Sequence, residues 1–288
     1  MKEETISRRV AFQGAPGAFS EEAAVKLLGE QITLVARPTF ESLFAAPAEG
    51  AADWIIAPIE NSLAGSIQRC YDLLLESRFR ISGEVILRIS HCLIGCTGAS
   101  FESIRSVESH PVALSQCQHF FSAHPQLRPI VSEDTAGSVA QVVKALDTSR
   151  SAIAGKRAAE IYGGTILLER LEDYPENYTR FLLVTDSSDP IDGADKLSLV
   201  LKLPHQPAAL HHALGPFARR GIDLLKIETR PLKGHPWEYH FCLDLRGSLK
   251  DVDVMDALDE LKSYGLEVRL LGCYVSGNQL ETRKRGKD

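Results

Sequence analysis

The chain has 288 residues and a mass of 31.6 kDa, with 44% hydrophobic and 24% charged residues. This length and composition predict a globular protein of two folding units, and they exclude a disordered chain, a collagen and a coiled-coil rod. The formal net charge of −6 argues against a nucleic-acid-binding protein, which usually has a basic surface. The sequence predicts no membrane span and no secretory signal, because long apolar stretches are missing and residues 1–10 are charged.

The first part of the chain repeats a unit in which a short apolar strand leads into a polar turn and a helix. Strands are predicted at residues 10–13, 54–58 and 151–154, and the turns include GAPGAFSEEAA, ENSLAGS, SHPVALSQC and DTAGSVAQV. This alternation predicts doubly wound α/β packing with parallel strands. Two helical faces are predicted, one by Leu63, Ile67, Tyr71 and Leu74 and one by Val139, Val142, Val143 and Leu146.

The second part of the chain has a different rhythm. Residues 186–196 (DSSDPIDGADK) are rich in Asp, Ser, Pro and Gly, and we interpret them as a linker. After it the patterns predict a strand at 197–203, a helix at 207–219, strands at 222–229 and 239–245, a helix at 251–264 and a strand at 267–275. This β-α-β-β-α-β order is typical of a ferredoxin-like unit with helices on one face of an antiparallel sheet.

The turns of the first part carry small and hydroxylated residues. They include Gly17 and Ser20, then Asn61, Ser62 and Ser66, then Ser109 and His110, then Thr135 and Ser138. Ligands of open α/β sheets bind where such turns and helix amino termini meet, so we expect a crevice there. The alternative is that Ser20, Ser62 and Thr135 are ordinary helix N-caps. Dinucleotide-binding, P-loop and nucleophile-elbow motifs are absent from the sequence.

The six cysteines form no Cys-x-x-Cys pair, and we interpret them as reduced thiols of a cytoplasmic protein. Only His91, Cys92 and Cys96 resemble a metal site. Because no second pair of ligands follows them, we expect no metal.

Five blocks of the first part, in order, match one family. They are GAPGAFSEEAA (14–24), PIENSLAGSI (58–67), ESHPVALSQC (108–117), DTAGS (134–138) and NYTRF (177–181), and ETRP (228–231) follows in the second part. Over residues 10–275 the chain resembles prephenate dehydratases that carry a C-terminal ACT regulatory domain. A single block would be weak evidence, whereas five in order are highly specific.

The resemblance implies a fold and an activity. It implies an α/β two-lobed catalytic domain at residues 1–186, similar to type II periplasmic binding proteins with the site between the lobes. An α+β ferredoxin-like ACT domain at residues 196–276 and a polar tail at 277–288 would follow. The implied reaction converts prephenate to phenylpyruvate, with loss of carbon dioxide and water, in L-phenylalanine biosynthesis. The family uses no metal and no organic cofactor.

The resemblance also implies roles for individual residues. Thr179 is placed at the leaving hydroxyl of the substrate, and Asn61, Ser109 and Gln116 are implied to be polar contacts that orient it. Further substrate-binding candidates are Glu60, Ser62, His110, Thr135, Arg180 and Phe181. Three of these have structural alternatives: Arg180 in an ion pair, because neighbours in a strand face opposite sides, His110 as a helix cap, and Phe181 in the core.

The ACT domain implies L-phenylalanine as an effector and a homodimer or a dimer of dimers. The effector candidates are Ala208, Ala209, Leu210, Glu228, Thr229, Arg230 and Pro231. Ala208 stands where the family tends to have glycine. The resemblance therefore supports feedback inhibition by phenylalanine less strongly than it supports catalysis. Two alternatives stay open. One is arogenate dehydratase, whose substrate carries an amino group in place of the keto group, and the other is a non-catalytic amino-acid sensor, which the intact NYTRF block disfavours.

Overall fold

The computed structural model of the chain describes residues 7–187, 191–232, 234–235 and 237–277. It divides into two compact units, one made of Met1–Ile67 and Ile86–Phe181 and the other of Gln68–Val85 and Leu182–Asp288. None of the described helices is long and apolar enough to cross a membrane.

In chain order the strands and α-helices are β1 (Arg8–Gln13), α1 (Phe19–Leu28), β2 (Ile32–Arg37), α2 (Phe40–Ala45), β3 (Trp54–Asn61), β4 (Gly65–Ser66), α3 (Gln68–Glu76), β5 (Arg80–Arg88), β6 (Cys92–Gly95), β7 (Ser106–Ser109), α4 (Pro111–Ser115), α5 (Gln118–Ala123), β8 (Arg128–Val131), α6 (Thr135–Ala145), β9 (Arg150–Ala154), α7 (Lys156–Tyr162), β10 (Thr165–Glu169), β11 (Tyr178–Thr185), β12 (Lys196–Lys202), α8 (Ala209–Arg219), β13 (Leu224–Pro231), β14 (Tyr239–Arg246), α9 (Val252–Ser263) and β15 (Glu267–Tyr274).

The first region contains two sheets. One has the strand order β2-β1-β3-β11-β5 with β4 beside β3, and the other has the order β10-β6-β9-β7-β8. The chain passes from the first sheet to the second after β5 and returns before β11, so each sheet is the centre of one lobe. The predicted two-lobed α/β architecture is confirmed.

The prediction of parallel strands is correct for only part of these sheets. Strand β1 is parallel to β2 and β3, and β7 is parallel to β8 and β9. Strand β6 is antiparallel to both β9 and β10. The apolar pattern of a strand is the same in either direction, which is why sequence periodicity could not detect this reversal.

The sequence places the start of the helix predicted to include Leu63 incorrectly. Residues 60–66 form a tight hairpin in which Glu60 pairs with Ser66 and Asn61 with Gly65, and α3 begins only at Gln68. Gly65 has φ 81°, a left-handed backbone conformation that glycine adopts without strain and that a helix does not contain. The ENSLAGS turn is therefore a β-hairpin and not a helix amino terminus.

The C-terminal sheet has the order β13-β14-β12-β15 and is antiparallel throughout. Helices α8 and α9 supply Ala213, Phe217, Val254, Leu258 and Leu261 to its core, where they pack with leucines of β12 and β14. The predicted ferredoxin-like order of six elements is confirmed, and it matches an ACT-like fold.

Candidate active site

A cavity of about 410 Å³ lies among the turns of the first compact unit. Elements from both sheets of that unit contribute to it, including the start of α1, the hairpin after β3, α4, the start of α6 and β11. Of the sequence-predicted site residues, the cavity is lined by Asn61, His110, Gln116, Thr135 and Thr179. The structure thus brings together residues that are up to 118 positions apart in the chain.

Asn61 connects the hairpin to β11. Its Oδ1 accepts hydrogen bonds from the backbone N–H groups of Leu63 (3.0 Å) and Ala64 (2.8 Å), which fixes the turn. Its Nδ2 lies 2.9 Å from Thr179 Oγ1 and 2.7 Å from Asn177 Oδ1, and donates to both. Asn61 therefore stabilises the turn with one side of its amide and holds two polar side chains with the other.

Thr179 and Asn177 share one side of the chain at the start of β11, because side chains two residues apart point the same way in an extended segment. Thr179 is 8% exposed and Asn177 is fully buried. In the described part of the chain the Thr179 hydroxyl accepts from Asn61, and no acceptor for its own proton is found there. That proton is available to a molecule in the cavity.

Gln116 and His91 extend this network. Gln116 Oε1 accepts from Asn177 Nδ2 at 2.9 Å and lies 3.0 Å from His91 Nε2. Gln116 follows the last residue of α4 and is the C-cap of that helix. Its backbone carbonyl accepts from Asp173 N at 2.7 Å, which anchors the helix end that carries it.

His91 lines the cavity and is buried. Burial lowers its pKa below the ordinary value for histidine, although the hydrogen bond with Gln116 and the charge of Glu172 act in the opposite direction. We conclude that the imidazole is neutral near pH 7. Among the described residues its Nδ1 has no hydrogen-bond partner.

Ser109 does not line the cavity. It is fully buried, and its hydroxyl donates to the backbone carbonyl of Ile153 at 2.6 Å, between the ends of the parallel strands β7 and β9. A side chain held in this way ties two strands together. The geometry gives no support to Ser109 as a direct contact of the substrate.

The other candidates of the first region divide between cavity and scaffold. Ser62 Oγ donates to Glu176 O and accepts from Tyr178 N, both at 2.9 Å, so it joins the hairpin to the start of β11. Arg180 lies 3.9 Å from Glu60, which favours the ion-pair alternative. Phe181 is 2% exposed and belongs to the core.

His110 and Thr135 line the cavity from helix starts. His110 is the N-cap of α4, with Nδ1 accepting from Val112 N at 3.2 Å. Thr135 is the first residue of α6, whose N-cap is Asp134 and not Thr135. The N-cap of α1 is Ala18, so the capping alternative is also wrong for Ser20.

His91, Cys92 and Cys96 are the residues that resemble a metal site in the sequence. Burial raises the pKa of Cys92 to about 11, so without a metal its sulfur is a thiol near neutral pH. Among the described residues no group of three or more His, Cys, Asp or Glu side chains could hold a metal ion. A reaction without metal remains a prediction.

The effector candidates do not share one site within the C-terminal sheet region. A cavity of about 240 Å³ is lined by Ala208, Ala209 and Leu210, together with Trp237 and residues of β14. The second set, Glu228, Thr229, Arg230 and Pro231, lies on β13 and does not line it. Arg230 instead donates to both carboxylate oxygens of Asp72, at 2.8 and 3.0 Å.

The sequence profile of the prephenate dehydratases matches residues 10–189. The chain belongs to the prephenate dehydratase family. It is therefore a carbon–oxygen lyase of the prephenate dehydratase type, the activity that serves phenylalanine biosynthesis. A curated relative, arogenate dehydratase/prephenate dehydratase 2 of Arabidopsis thaliana, is 39% identical over an alignment of 279 positions, which covers 92% of this chain and 72% of the relative.

Two solved structures show the same prephenate dehydratase fold. Prephenate dehydratase from Arthrobacter aurescens, solved in complex with L-Phe, has a TM-score of 0.85 and 30% identity, and the match covers 94% of this chain and 90% of that one. GqqA, described as a novel type of quorum quenching acylase, has a TM-score of 0.85 and 33% identity, with coverage of 93% and 98%.

Two residues of the network were missed as functional residues by sequence reasoning. Asn177 was part of the NYTRF block, and its spacing of two from Thr179 was the signal that both face the same side. His91 was considered only as a metal ligand beside Cys92. Its link to Gln116 spans 25 positions and could not be read from local pattern.

Proposed function

We propose that this chain converts prephenate to phenylpyruvate in the cavity that contains Thr179. The observation that carries the proposal is the Thr179 hydroxyl, which is buried in the cavity wall, receives a hydrogen bond from Asn61 and keeps its own proton free. The residues proposed to contact the substrate are Asn61, Gln116, Thr179, His110 and Thr135.

The chemistry needs little from the protein apart from placement. When the ring carboxylate of prephenate leaves as carbon dioxide, its bonding electrons move into the ring, the bond from C4 to oxygen breaks, and the ring becomes aromatic. The departing hydroxide must gain a proton or a strong hydrogen bond. A well-placed donor typically contributes about 10²–10⁴-fold to such a step. A threonine hydroxyl is a weak acid, so we propose that Thr179 donates a hydrogen bond to the C4 oxygen.

Prephenate carries two carboxylates, yet no Lys or Arg is found among the described residues that line the cavity. Helix amino termini supply the alternative, because their first N–H groups are unpaired and carry a partial positive charge. The starts of α1, at Phe19 and Ser20, and of α6, at Thr135, both line the cavity. The α6 terminus is already capped, because Asp134 Oδ1 accepts from Gly137 N at 2.6 Å, and Glu133 and Asp134 place negative charge in the cavity wall. We therefore propose that the α1 terminus, whose N-cap Ala18 has no capping side chain, binds a carboxylate of prephenate.

Close packing supports this arrangement at α1. Gly17, just before the helix, has φ 87°, and a Cβ built on it would lie 2.7 Å from the Cα of Ala158. Only glycine fits this contact. The turn is thus held against α7 in a shape that fixes where the α1 amino terminus points.

The choice between prephenate and arogenate is tested by an assay of the purified full chain with each substrate at matched concentrations. Prephenate would yield phenylpyruvate, and arogenate would yield phenylalanine. We expect turnover of prephenate to phenylpyruvate. A higher kcat/KM for arogenate would replace the proposal with arogenate dehydratase, and no turnover of either substrate would favour the amino-acid sensor.

Acylase chemistry, as described for GqqA, has less support. An acylase that forms a covalent intermediate needs a nucleophile hydrogen-bonded to a base. Among the described residues, neither histidine that lines the cavity is hydrogen-bonded to a Ser, Thr or Cys side chain: His91 Nε2 faces the Gln116 amide, and His110 Nδ1 accepts from a backbone N–H. This pairing leaves the dehydratase as the function that the site supports best.

We further propose the domain boundaries of residues 1–186 for catalysis, 196–276 for an ACT regulatory domain and 277–288 for a tail. Residues 278–288 lie outside the described part of the chain. Homodimers or dimers of dimers are supported by the edge strand β13, where Leu225 and Ile227 are exposed. A cytoplasmic location is supported by the cysteines, which form no disulfide among the described residues.

L-Phenylalanine is the proposed effector, with its site at the cavity beside Ala208. Ala208 has φ 63°, so its methyl group is carried by a left-handed residue at the start of α8. We expect Ala208→Gly to bind phenylalanine more tightly than the parent chain, because the methyl narrows the approach to the backbone. Calorimetric titration of both proteins measures the difference, and equal affinities would place the methyl away from the effector.

A matched control separates this effect from relief of strain. Leu146 is also left-handed, with φ 53°, and is 71% exposed at the end of α6. Replacing either residue with glycine removes a left-handed side chain that costs about 1–2 kcal/mol. Leu146→Gly should therefore raise thermal stability as Ala208→Gly does, and leave phenylalanine affinity unchanged.

A further inference from the structure

The hydrogen bonds of the cavity network run in one direction, and backbone groups set that direction. Asn61 Oδ1 must be the oxygen of its amide, because it accepts from the N–H groups of Leu63 and Ala64, which can only donate. Asn61 Nδ2 is then a donor, and its partner on Asn177 must be Oδ1. The orientation of one amide is thereby passed to the next.

The same logic continues to the far end of the network. Because Asn177 accepts with Oδ1, it has only Nδ2 left for Gln116, and it donates to Gln116 Oε1 at 2.9 Å. That oxygen also faces His91 Nε2 at 3.0 Å, so His91 must carry its proton on Nε2. Nδ1 is then a bare acceptor, in agreement with its lack of a partner among the described residues.

We infer that Asn177 is a positioning residue of the reaction, and that its amide transmits the hydrogen-bond direction set at the hairpin to Gln116 and His91. The inference rests on the proposed contact of Gln116 with the substrate. Asn177 has no contact with the cavity itself, since it is fully buried and does not line it. It acts through Gln116 and His91.

The direction matters because Gln116 lines the cavity: its Oε1 is occupied by Asn177 and His91, which leaves its Nε2 to donate to a molecule there. Thr179 Oγ1 accepts from Asn61, so its hydroxyl proton points to another acceptor, and the cavity is where one can be placed. Only an amide at position 177 both accepts from Asn61 and donates to Gln116. Replacing Asn177 with aspartate keeps the shape and the acceptor but removes the donor.

A carboxylate at position 177 would reverse the second half of the network. Gln116 would have to turn its amide so that Nε2 donates to the new carboxylate, and the same NH₂ group would then face His91. His91 Nε2 would have to accept, and its proton would move to Nδ1. The tautomer of His91 therefore reports the direction of the hydrogen bond between Asn177 and Gln116.

The test is nitrogen NMR of the full-length protein labelled with ¹⁵N-histidine, recorded at pH 8 without substrate, with the His91 signals assigned by their loss in His91→Gln. We expect the Nε2–H tautomer in the parent protein and the Nδ1–H tautomer in Asn177→Asp. Gln116→Glu is the matched control, because its carboxylate still accepts from Asn177 and His91, and it should keep Nε2–H. An Nδ1–H tautomer in the parent, or an unchanged tautomer in folded Asn177→Asp, would overturn the inference.

Kinetics supply the second readout. Asn177→Asp should lower kcat for prephenate by about 10²-fold, the cost typical of a misplaced reacting group, with a smaller change in KM. A purely structural Asn177 would change stability and leave the tautomer and the kcat of the folded fraction as they are. If the chain turns over no prephenate but the tautomers are as expected, the network stands and the proposed reaction fails. If Asn177→Asp does not fold, the parent spectrum alone decides the direction.

Discussion

Replacing Thr179 with valine is expected to lower kcat for prephenate by about 10²-fold or more and to raise KM by no more than about fivefold. Valine has almost the shape of threonine and lacks only the hydroxyl. The substrate would still be held by the α1 terminus and the amides, so ground-state binding would weaken only severalfold. The leaving oxygen would lose its donor, an interaction that strengthens only as the bond to carbon breaks.

The control for this variant is Thr179→Ser, which keeps the hydroxyl and loses a methyl group. Serine should retain far more activity than valine if the hydroxyl is what matters. Valine also removes the acceptor of the Asn61 hydrogen bond, at a stability cost of about 1 kcal/mol. Steady-state assays and urea unfolding measure the two effects separately. A valine variant with more than half of the parent kcat would exclude Thr179 as the donor.

Asn61 gives the second large effect, and two substitutions separate its two roles. Asn61→Asp keeps an oxygen for the N–H groups of Leu63 and Ala64 but removes the donor to Thr179. We expect this variant to keep the hairpin and to lose about 10²-fold in kcat/KM, because the hydroxyl of Thr179 is no longer held in place. Asn61→Ala removes both roles and should also be less stable, by about 1 kcal/mol for a lost hydrogen bond.

Comparison of the two variants decides between the site and the turn. Urea unfolding of each protein, set beside its kcat/KM, gives the measurement. If aspartate restores activity along with stability, then Asn61 matters only for the hairpin, and its place in the active site is refuted. If both variants are inactive and only alanine is destabilised, the contact with Thr179 is what the reaction needs.

The sequence was sufficient for the architecture because local pattern and family motifs agreed. The order of strands and helices after residue 196 was predicted correctly, since each element has a clear period and a clear end. The first region was predicted as α/β for the same reason. The prediction was wrong about the direction of strands β6 and β10. It was also wrong at residues 60–66, where the apolar spacing in LAGSI resembles that of a helix but the structure has a hairpin.

Sequence reasoning identified site residues only where they belong to a family motif. Asn61, Gln116 and Thr179 lie together as the resemblance implied. Ser109 has the right motif, but its hydroxyl is used by the strand pair, because a buried hydroxyl must find a partner and Ile153 O is within reach. Asn177 and His91 join the network through contacts between distant segments, and no local pattern reports such contacts.

The measurement that tests the central claim most directly compares two stable analogues of prephenate in which the ring is saturated, one with the C4 hydroxyl and one without it. Neither can become aromatic, so binding is measured alone, by calorimetry, with the parent protein and Thr179→Val. If Thr179 donates to the C4 oxygen, loss of that hydroxyl should weaken binding to the parent by about 1 kcal/mol, roughly fivefold, and should not affect binding to Thr179→Val. If Thr179→Val distinguishes the two analogues as strongly as the parent does, Thr179 does not contact the leaving group, and the proposed mechanism is contradicted.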